Sequence, residues 1–162
     1  MRINVSRLLQ EPWGSLRSYA LDEGPLRLGD DVEVDFLRGT LRLTHTNEGI
    51  LARAEIVAQV SLECVRCLEP FSLKLSLDLT ERFLPASALA LAEEAFPIED
   101  NNIVDFDEPV RQAILLALPM RSLCSPNCRG LCSQCGQNLN TGQCNCQEEE
   151  IDPRLAVLKQ LL

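Results

Sequence analysis

The sequence predicts an α+β fold: an antiparallel β-meander core with two short helices and a C-terminal zinc-bound, cysteine-rich segment. Two patterns support this prediction. Between residues 32 and 80, apolar and polar side chains alternate in three long stretches, which is the pattern of half-buried antiparallel strands. Six of the eight cysteines then fall between Cys124 and Cys146, and cysteines at this density form either disulfides or a metal site.

Composition limits the possible functions. The chain has 162 residues, 46% hydrophobic and 24% charged, which is typical of one globular domain with an appendage. Its formal net charge of −9 is unfavourable for phosphate binding, so contact with nucleic acid needs a local basic patch or a basic partner. The longest apolar run, residues 113–118, cannot span a bilayer, and residues 1–15 lack the apolar region of a signal peptide. We therefore expect a cytoplasmic protein without membrane contact.

The first 29 residues are the least regular part of the chain. Residues 3–5 and 16–21 alternate like short strands, and residues 11–14 between them form a turn. Residues 22–25 and 29–30 are expected to be loops. Trp13, the only tryptophan, is expected to pack on the domain.

Residues 32–83 are the predicted scaffold. The inward positions are Val32, Val34 and Phe36, then the even-numbered residues of 52–62, and then the odd-numbered residues of 71–79. A polar turn at residues 46–49 joins the first two strands, with His45 expected on the surface. Three such strands in series predict a meander that places one face on a core.

The turn between the second and third strands carries Cys64 and Cys67 in a C-x2-C pattern. At a hairpin tip this spacing indicates half of a metal site, since such steps hold two thiolates on one ion. Two incidental thiols or a thioredoxin-like dithiol are the alternatives. The dithiol motif opens a helix in a βαβ unit, and no such unit is predicted here.

Helices are predicted on the C-terminal side of the scaffold. Residues 86–95 favour a short helix, and residues 97–102 an acidic loop. Asp107 is the predicted N-cap of a helix over residues 108–118, and Pro119 ends that helix. Its apolar face is formed by Val110, Ile114, Leu115 and Leu118.

The chain is expected to have two parts. Residues 1–119 form the antiparallel β-sheet domain with the helix over 108–118. Residues 120–162 form a zinc-binding tail, packed on the sheet domain through a shared zinc site. Asp152 caps a terminal helix in this tail, with an apolar side that docks on the domain or a partner; that side comprises Leu155, Val157, Leu158, Leu161 and Leu162.

The cysteine segment has the spacing C-x3-C-x3-C-x2-C-x8-C-x-C, and turn-forming Gly, Asn and Pro residues separate the cysteines. Few large apolar residues lie between them, so the segment needs an ion or cross-links to fold. A disulfide framework requires an oxidising compartment. An iron–sulfur cluster also uses four cysteines, and a redox dithiol is a third alternative. Ligand type and compartment favour zinc.

Eight thiolates predict two zinc ions, each held by four cysteines. The tail cluster is expected to contain Cys132, Cys135, Cys144 and Cys146. The composite cluster would then join the hairpin tip to the tail through Cys64, Cys67, Cys124 and Cys128. The rival division places Cys124, Cys128, Cys132 and Cys135 on one ion and leaves the hairpin pair without partners. Sites with four thiolates have no open position for water, so they favour a structural role over an enzyme.

Three segments resemble the YceD family, required for accumulation of the large ribosomal RNA subunit in bacteria and plastids. They are residues 62–71 with the sequence LECVRCLEPF, residues 110–120 leading into the cysteines, and residues 152–158 with the sequence DPRLAVL. The resemblance covers roughly residues 48–162. It implies a cytosolic role in accumulation of large-subunit rRNA, and it brings no catalytic residues.

The leading functional hypothesis is a non-catalytic accessory factor in ribosome biogenesis that binds large-subunit rRNA or a ribosomal or assembly protein, with no small-molecule substrate. Arg121 and Arg129 are the candidate contacts, because no Asp or Glu lies between Glu108 and Glu148. The same arginines could instead neutralise the zinc-bound thiolates. A thiol-redox or redox-switched zinc protein is the second hypothesis. A hydrolase or nuclease is disfavoured, because no paired carboxylates or histidine cluster accompany an open metal site.

Overall fold

The computed structural model describes residues 1–89 and 95–146. Its strands and helices, in chain order, are β1 (Arg2–Asn4), α1 (Ser6–Leu9), β2 (Leu16–Glu23), β3 (Leu26–Leu28), β4 (Val32–His45), β5 (Ile50–Glu63), β6 (Pro70–Leu84), α2 (Ala86–Leu89), β7 (Phe96–Glu99), β8 (Ile103–Asp105) and α3 (Asp107–Ala117). The sheet order is β1-β8-β7-β6-β5-β4-β2, and β3 also pairs with β4. No helix in these described ranges is long and apolar enough to cross a membrane.

The predicted meander is present as β4, β5 and β6, which pair antiparallel along almost their whole length. On β5 the inward positions are buried alanine, isoleucine and valine side chains, as the period-two pattern requires. The sheet as a whole is mixed, however, because β6 and β7 run parallel. Two parallel strands cannot be joined by a tight hairpin turn, and in the chain the eleven residues 85–95 lie between the end of β6 and the start of β7. The prediction of a purely antiparallel sheet was therefore wrong at this end.

β7 occupies part of the stretch predicted as an acidic loop. Phe96 pairs with Phe83 of β6, and Ile98 pairs with Val104 of β8. The alternation of Phe96 and Ile98 was a strand signal, but it is only one repeat long. A parallel partner far away in sequence stabilises this short strand, and local pattern does not reveal such a partner.

β4 departs from strict alternation near its start. A bulge between Val34 and Phe36 shifts the register against β5. As a result Phe36 is only half-buried, while Leu37 is fully buried and the inward set continues through Leu41. An extra residue at a bulge moves the following side chains to the opposite face of the strand. Phe36 was predicted to face the core, and this part of the prediction was wrong.

α3 lies close to its predicted range, with Val110 and Ile114 buried. Phe106, rather than Asp107, stands at the N-cap position, and the Asp107 backbone N–H donates to the Asp105 carboxylate at 2.9 Å. Leu115 was assigned to the apolar face but is 38% exposed. α3 packs on β6 and β3 along a stripe narrower than the sequence suggested.

The remaining helices were only partly predicted. α1 was not predicted, and its Leu8 is buried in the core beside β4. α2 begins where the helix over residues 86–95 was predicted, but residues 90–94 lie outside the described part of the chain. The terminal helix predicted to begin at Asp152 also lies outside it.

The turn at residues 11–14 corrects two predictions about single side chains. Trp13 is 75% exposed and does not pack on the domain. The turn is attached through its backbone, because the Gly14 N–H donates to the His45 carbonyl at 2.8 Å, which leaves the indole outside the core. His45 is half-buried, and its Nδ1 lies 2.8 Å from the Glu11 carbonyl oxygen. The backbone N–H of Gly14 and the imidazole of His45 therefore attach the turn to the end of β4.

Candidate metal centre

The composite cluster lies where the tip of the β5–β6 hairpin meets the chain after α3. Cys64, Cys67 and Cys128 are buried, whereas Cys124 is exposed. The Sγ atoms of Cys64 and Cys128 are 3.8 Å apart, and those of Cys67 and Cys124 are 3.7 Å apart. All four sulfur atoms lie within 4.8 Å of one another. The three buried cysteines form a cluster of their own with Phe71, Leu123 and Leu131, separate from the main core.

Two backbone hydrogen bonds shape the hairpin tip. The Cys64 N–H donates to the Glu69 carbonyl at 3.0 Å, and the Leu68 N–H donates to the Cys64 carbonyl at 2.8 Å. Leu68 adopts a left-handed conformation with φ of +59°. This tight loop brings the two thiols of the C-x2-C step, Cys64 and Cys67, to the same side of the loop.

The tail cluster repeats this local structure. The Cys132 N–H donates to the Gln137 carbonyl at 2.8 Å, and the Gly136 N–H donates to the Cys132 carbonyl at 3.0 Å. Gly136 has φ of +72° at the position equivalent to Leu68. The Sγ atoms of Cys132, Cys135, Cys144 and Cys146 lie within 4.8 Å of one another. Both C-x2-C steps are thus built in one way, although one joins two long strands and the other is flanked only by the isolated β-bridge between Leu131 and Asn138.

Hydrogen bonds attach the tail directly to the hairpin. The Val65 N–H donates to the Ser122 carbonyl at 2.9 Å. The Arg66 guanidinium donates to the Cys128 carbonyl at 2.8 Å, and the Arg66 carbonyl accepts from the Leu131 N–H at 3.1 Å. Gly130 lies here with φ of +77°, and a Cβ at this position would approach the Arg66 carbonyl oxygen to 3.1 Å. The composite cluster therefore lies inside a defined contact between hairpin and tail.

The sulfur spacing fits a tetrahedral metal ion. With zinc–sulfur bonds of about 2.3 Å, the edge of a regular tetrahedron is about 3.8 Å. The Cys67–Cys124 and Cys64–Cys128 sulfur pairs, at 3.7 and 3.8 Å, match this edge. A disulfide would need about 2.05 Å, and all eight cysteines are free thiols. Each cluster can therefore hold one metal ion with four thiolates.

Electrostatics differ between the thiols of each cluster. Burial raises the pKa of Cys64, but hydrogen bonds from nearby backbone N–H groups outweigh burial and lower that pKa to about 6. Backbone N–H groups likewise lower the pKa of Cys132 to about 6. Desolvation and the neighbouring thiols raise the pKa of Cys124 to about 12, although the residue as a whole is exposed. Hydrogen bonding with Cys135, followed by desolvation, raises the pKa of Cys146 to about 12. Within each cluster, therefore, some thiols ionise more readily than others.

The structure brings the cysteines together in the division favoured by the sequence. Cys64, Cys67, Cys124 and Cys128 form one group, and Cys132, Cys135, Cys144 and Cys146 form the other. The rival set of Cys124, Cys128, Cys132 and Cys135 is not a group here. Arg121 and Arg129 are both exposed, and neither side chain forms an ion pair within the described ranges.

Three polar residues of the site were not predicted. Asn140 donates through Nδ2 to the Cys128 sulfur at 3.2 Å, and this hydrogen bond lowers the pKa of Cys128. Asn138 donates to the Glu69 carboxylate at 3.5 Å. Arg66 is the third such residue, and its guanidinium donates to the Cys128 carbonyl. The asparagines had been interpreted only as turn formers. Their spacing carries no signal for a contact with a particular sulfur.

Comparisons with known proteins place the chain in a family. The model of the family described as large ribosomal RNA subunit accumulation protein YceD matches residues 52–162. An uncharacterized protein of Mycobacterium tuberculosis is 32% identical over 170 residues, which cover 100% of this chain and 81% of that relative. A Zea mays protein is named large ribosomal RNA subunit accumulation protein YCED homolog 1, chloroplastic; it is 31% identical over 152 residues, which cover 74% of this chain and 48% of the maize protein. No solved structure matches the chain. The chain belongs to the YceD family.

Proposed function

We propose that this protein is a non-catalytic, zinc-binding accessory factor in ribosome biogenesis, needed for accumulation of large-subunit rRNA. The observation that carries the proposal is the pair of four-cysteine clusters, one of which joins the tail to the sheet in a chain of the YceD family. The maize relative is named for accumulation of the large ribosomal RNA subunit. Free thiols suit a reducing compartment, so the proposed location is the cytoplasm.

Zinc is the proposed metal in both clusters, with two ions per chain. Cys64, Cys67, Cys124 and Cys128 would hold one ion, and Cys132, Cys135, Cys144 and Cys146 the other. Four thiolates complete the tetrahedral coordination of each ion, which leaves no open position for a substrate. The ions then fix residues 120–162 as a tail on the sheet domain of residues 1–119. This role is structural and includes no reaction.

The proposed partner surface surrounds the composite cluster. Arg121 is exposed next to Ser122, whose carbonyl accepts from the Val65 N–H at 2.9 Å. Val65 is 59% exposed and Leu68 is 56% exposed at the same hairpin tip. Arg129 adds a second exposed cation from the tail. A cationic surface with exposed apolar side chains suits large-subunit rRNA, or a ribosomal or assembly protein, and it offers no site for a small-molecule substrate.

Charge reversal at the two arginines tests this surface. The variant Arg121→Glu with Arg129→Glu should keep both zinc ions, yet fail to restore large-subunit rRNA levels in a deletion strain. Arg42→Glu with Arg53→Glu is the matched control. These two exposed arginines pair with each other across β4 and β5, away from the hairpin tip, and they also lack ion pairs within the described ranges. The control should complement. If RNA is the direct partner, its binding weakens with salt by roughly one unit of log–log slope for each phosphate contact. Full complementation by the tail variant would show that the two arginines do not contact the partner and that the tail has only a structural role.

A thiol-redox or redox-switched zinc protein is the second candidate function. The observation that favours it is Cys132, which is half-buried and has its pKa lowered to about 6, with the exposed thiols of Cys135 and Cys146 beside it. Accessible thiolates react readily with oxidants. If the protein is a redox switch, peroxide should release zinc from it, and the same peroxide concentrations should change the level of large-subunit rRNA in the cell. If the protein kept its zinc under peroxide and rRNA levels did not change, the redox function would be excluded and only the structural role of the ions would remain.

A further inference from the structure

Asn140 connects the two clusters through its side chain. In sequence it belongs to the loop between Cys135 and Cys144, and both of these are members of the tail cluster. Its Nδ2 nevertheless donates to the sulfur of Cys128, in the composite cluster, at 3.2 Å. Its Oδ1 accepts from the Arg129 N–H at 2.8 Å, which holds the amide in this orientation. A side chain from the loop of the tail cluster therefore contacts a sulfur of the composite cluster.

The position of Asn140 depends on how its loop is closed. Within the loop, the Gly142 N–H donates to the Asn138 carbonyl at 3.1 Å, and the Asn140 N–H donates to the Asn138 side-chain oxygen at 2.9 Å. The Leu139 N–H donates to the Gly130 carbonyl at 2.9 Å. At its two ends the loop continues into Cys135 and Cys144. An ion bound by the tail cluster would fix both ends, and it would thereby reduce the entropy lost when the loop orders.

A hydrogen bond to a metal-bound thiolate favours metal binding. Four thiolates around a zinc ion leave a net charge of about −2, and an N–H donor spreads part of that charge. Removal of such an outer contact typically weakens metal binding by about ten- to a hundred-fold. Among the residues that the structure describes, Asn140 is the one whose side-chain amide donates a hydrogen bond to a sulfur of the composite cluster.

We propose that Asn140 is a positioning residue that couples the two metal sites. Occupancy of the tail cluster closes the loop, presents the Asn140 amide to Cys128 and raises the zinc affinity of the composite cluster. By thermodynamic linkage, occupancy of the composite cluster raises the affinity of the tail cluster by the same factor. This inference rests on the proposed zinc occupancy, and it adds that the tail cluster controls attachment of the tail to the sheet.

The test is a zinc titration of the reduced, metal-free full chain against a chromophoric chelator. The composite affinity is measured with the tail cluster intact and again in the variant Cys132→Ser with Cys135→Ser. The coupling is the ratio of the two affinities. Asn140→Asp keeps the oxygen that accepts from the Arg129 N–H but cannot donate to sulfur. It should weaken zinc binding at the composite cluster by about ten- to a hundred-fold when the tail cluster is intact, and it should bring the coupling ratio close to one.

Asn127→Asp is the matched control. Asn127 is exposed, precedes Cys128 and makes no hydrogen bond to a sulfur in the described ranges, so the substitution adds the same charge without removing this contact. It should change the composite affinity by less than about fivefold, the scale of an exposed charge interaction. Cobalt substitution gives a second measurement, because loss of a sulfur hydrogen bond should shift the thiolate-to-cobalt charge-transfer band in Asn140→Asp but not in Asn127→Asp.

Each outcome decides between the two proposals. A composite affinity within about twofold of wild type in Asn140→Asp would overturn the inference, as would an equal loss in Asn127→Asp. An unchanged coupling ratio in Asn140→Asp would show that the residue supports Cys128 without linking the sites. In all three cases the wild-type protein still binds two ions, and the proposed function stands. Failure of the wild-type chain to bind zinc at either cluster would instead overturn the proposed function itself.

Discussion

Replacement of Cys64 by serine should detach the tail from the sheet without unfolding the sheet. Cys64 is fully buried, and its sulfur lies 3.8 Å from that of Cys128. A neutral serine hydroxyl does not replace a thiolate as a zinc ligand, so the composite cluster should lose its ion. The tail cluster contains none of these residues, and the apolar core of the meander is separate from the composite cluster. We therefore expect one zinc ion per chain and an intact sheet.

The contacts give the size of the effect. Ordering the backbone of residues 120–131 costs on the order of 12 kcal/mol, at about 1 kcal/mol per residue. The three hydrogen bonds that join residues 120–131 to the Val65 and Arg66 positions of the hairpin contribute about 3 kcal/mol in total. A structural zinc site contributes on the order of 10 kcal/mol. If zinc occupies the composite cluster as proposed, the ion decides whether the tail is attached, and its loss leaves an attachment that is unfavourable by several kcal/mol.

Metal analysis and limited proteolysis together check this prediction. The protein should be purified without nickel affinity, and zinc should fall from about two ions to about one in Cys64→Ser. Trypsin should then cleave readily after Arg121 and Arg129, which are exposed, while the sheet resists. Cys132→Ser is the matched control: at saturating zinc it should lose the other ion and keep the tail attached near Arg121. If Cys64→Ser still bound two ions and gave an unchanged digestion pattern, the assignment of Cys64 to the composite cluster would be wrong. If the purified protein contained iron and absorbed visible light, the assignment of zinc as the metal would be wrong.

Three further predictions concern the scaffold. Gly39→Ala should lower the free energy of unfolding by about 1–3 kcal/mol with zinc content unchanged, because a Cβ there would overlap with the Glu55 carbonyl oxygen. Equal denaturant midpoints in the variant and the wild type would contradict this. Leu68→Val should weaken zinc retention while Leu68→Gly keeps it, because a β-branched residue avoids φ of +59°; a chelator challenge compares the two. The Arg111 guanidinium, 2.7 Å from the Asp31 carboxylate, lowers the pKa of that carboxyl. Since the folded pKa lies below the unfolded one, this stabilisation is present above about pH 4 and is lost as pH falls through the folded pKa. Asp31→Asn should therefore be less stable than wild type at pH 7, and the difference in melting temperature should disappear in acid.

Features set by local periodicity or spacing were predictable from the sequence. The alternation on β5 placed its buried face correctly, because one strand face must be apolar wherever a core lies. The grouping of Cys64 with Cys128 followed from the requirement that each C-x2-C step find a second pair. The start of α3 was marked by Asp107, Glu108 and Pro109 in its first turn, within one residue of the predicted position.

Features set by distant partners were not predictable. The bulge that moves Phe36 outward depends on how β4 meets β5, and alternation alone does not contain that information. β7 is stabilised by β6 and β8, and its four residues carry too short a pattern to identify. Asn140 contacts a sulfur twelve residues earlier in the chain, and no local pattern in the sequence encodes that contact. Tertiary contacts determine each of these features.

The composite cluster also constrains the order of events during synthesis. Cys67 and Cys124 are separated by 57 residues, so the hairpin thiols leave the translating ribosome long before their partners. At about 5–20 residues per second, the interval is roughly 3–11 s. The sheet around the hairpin has time to form first, whereas Cys64 and Cys67 wait as an incomplete site. For those seconds the nascent chain presents two thiols that can capture a metal ion or meet an oxidant before the tail arrives to enclose them.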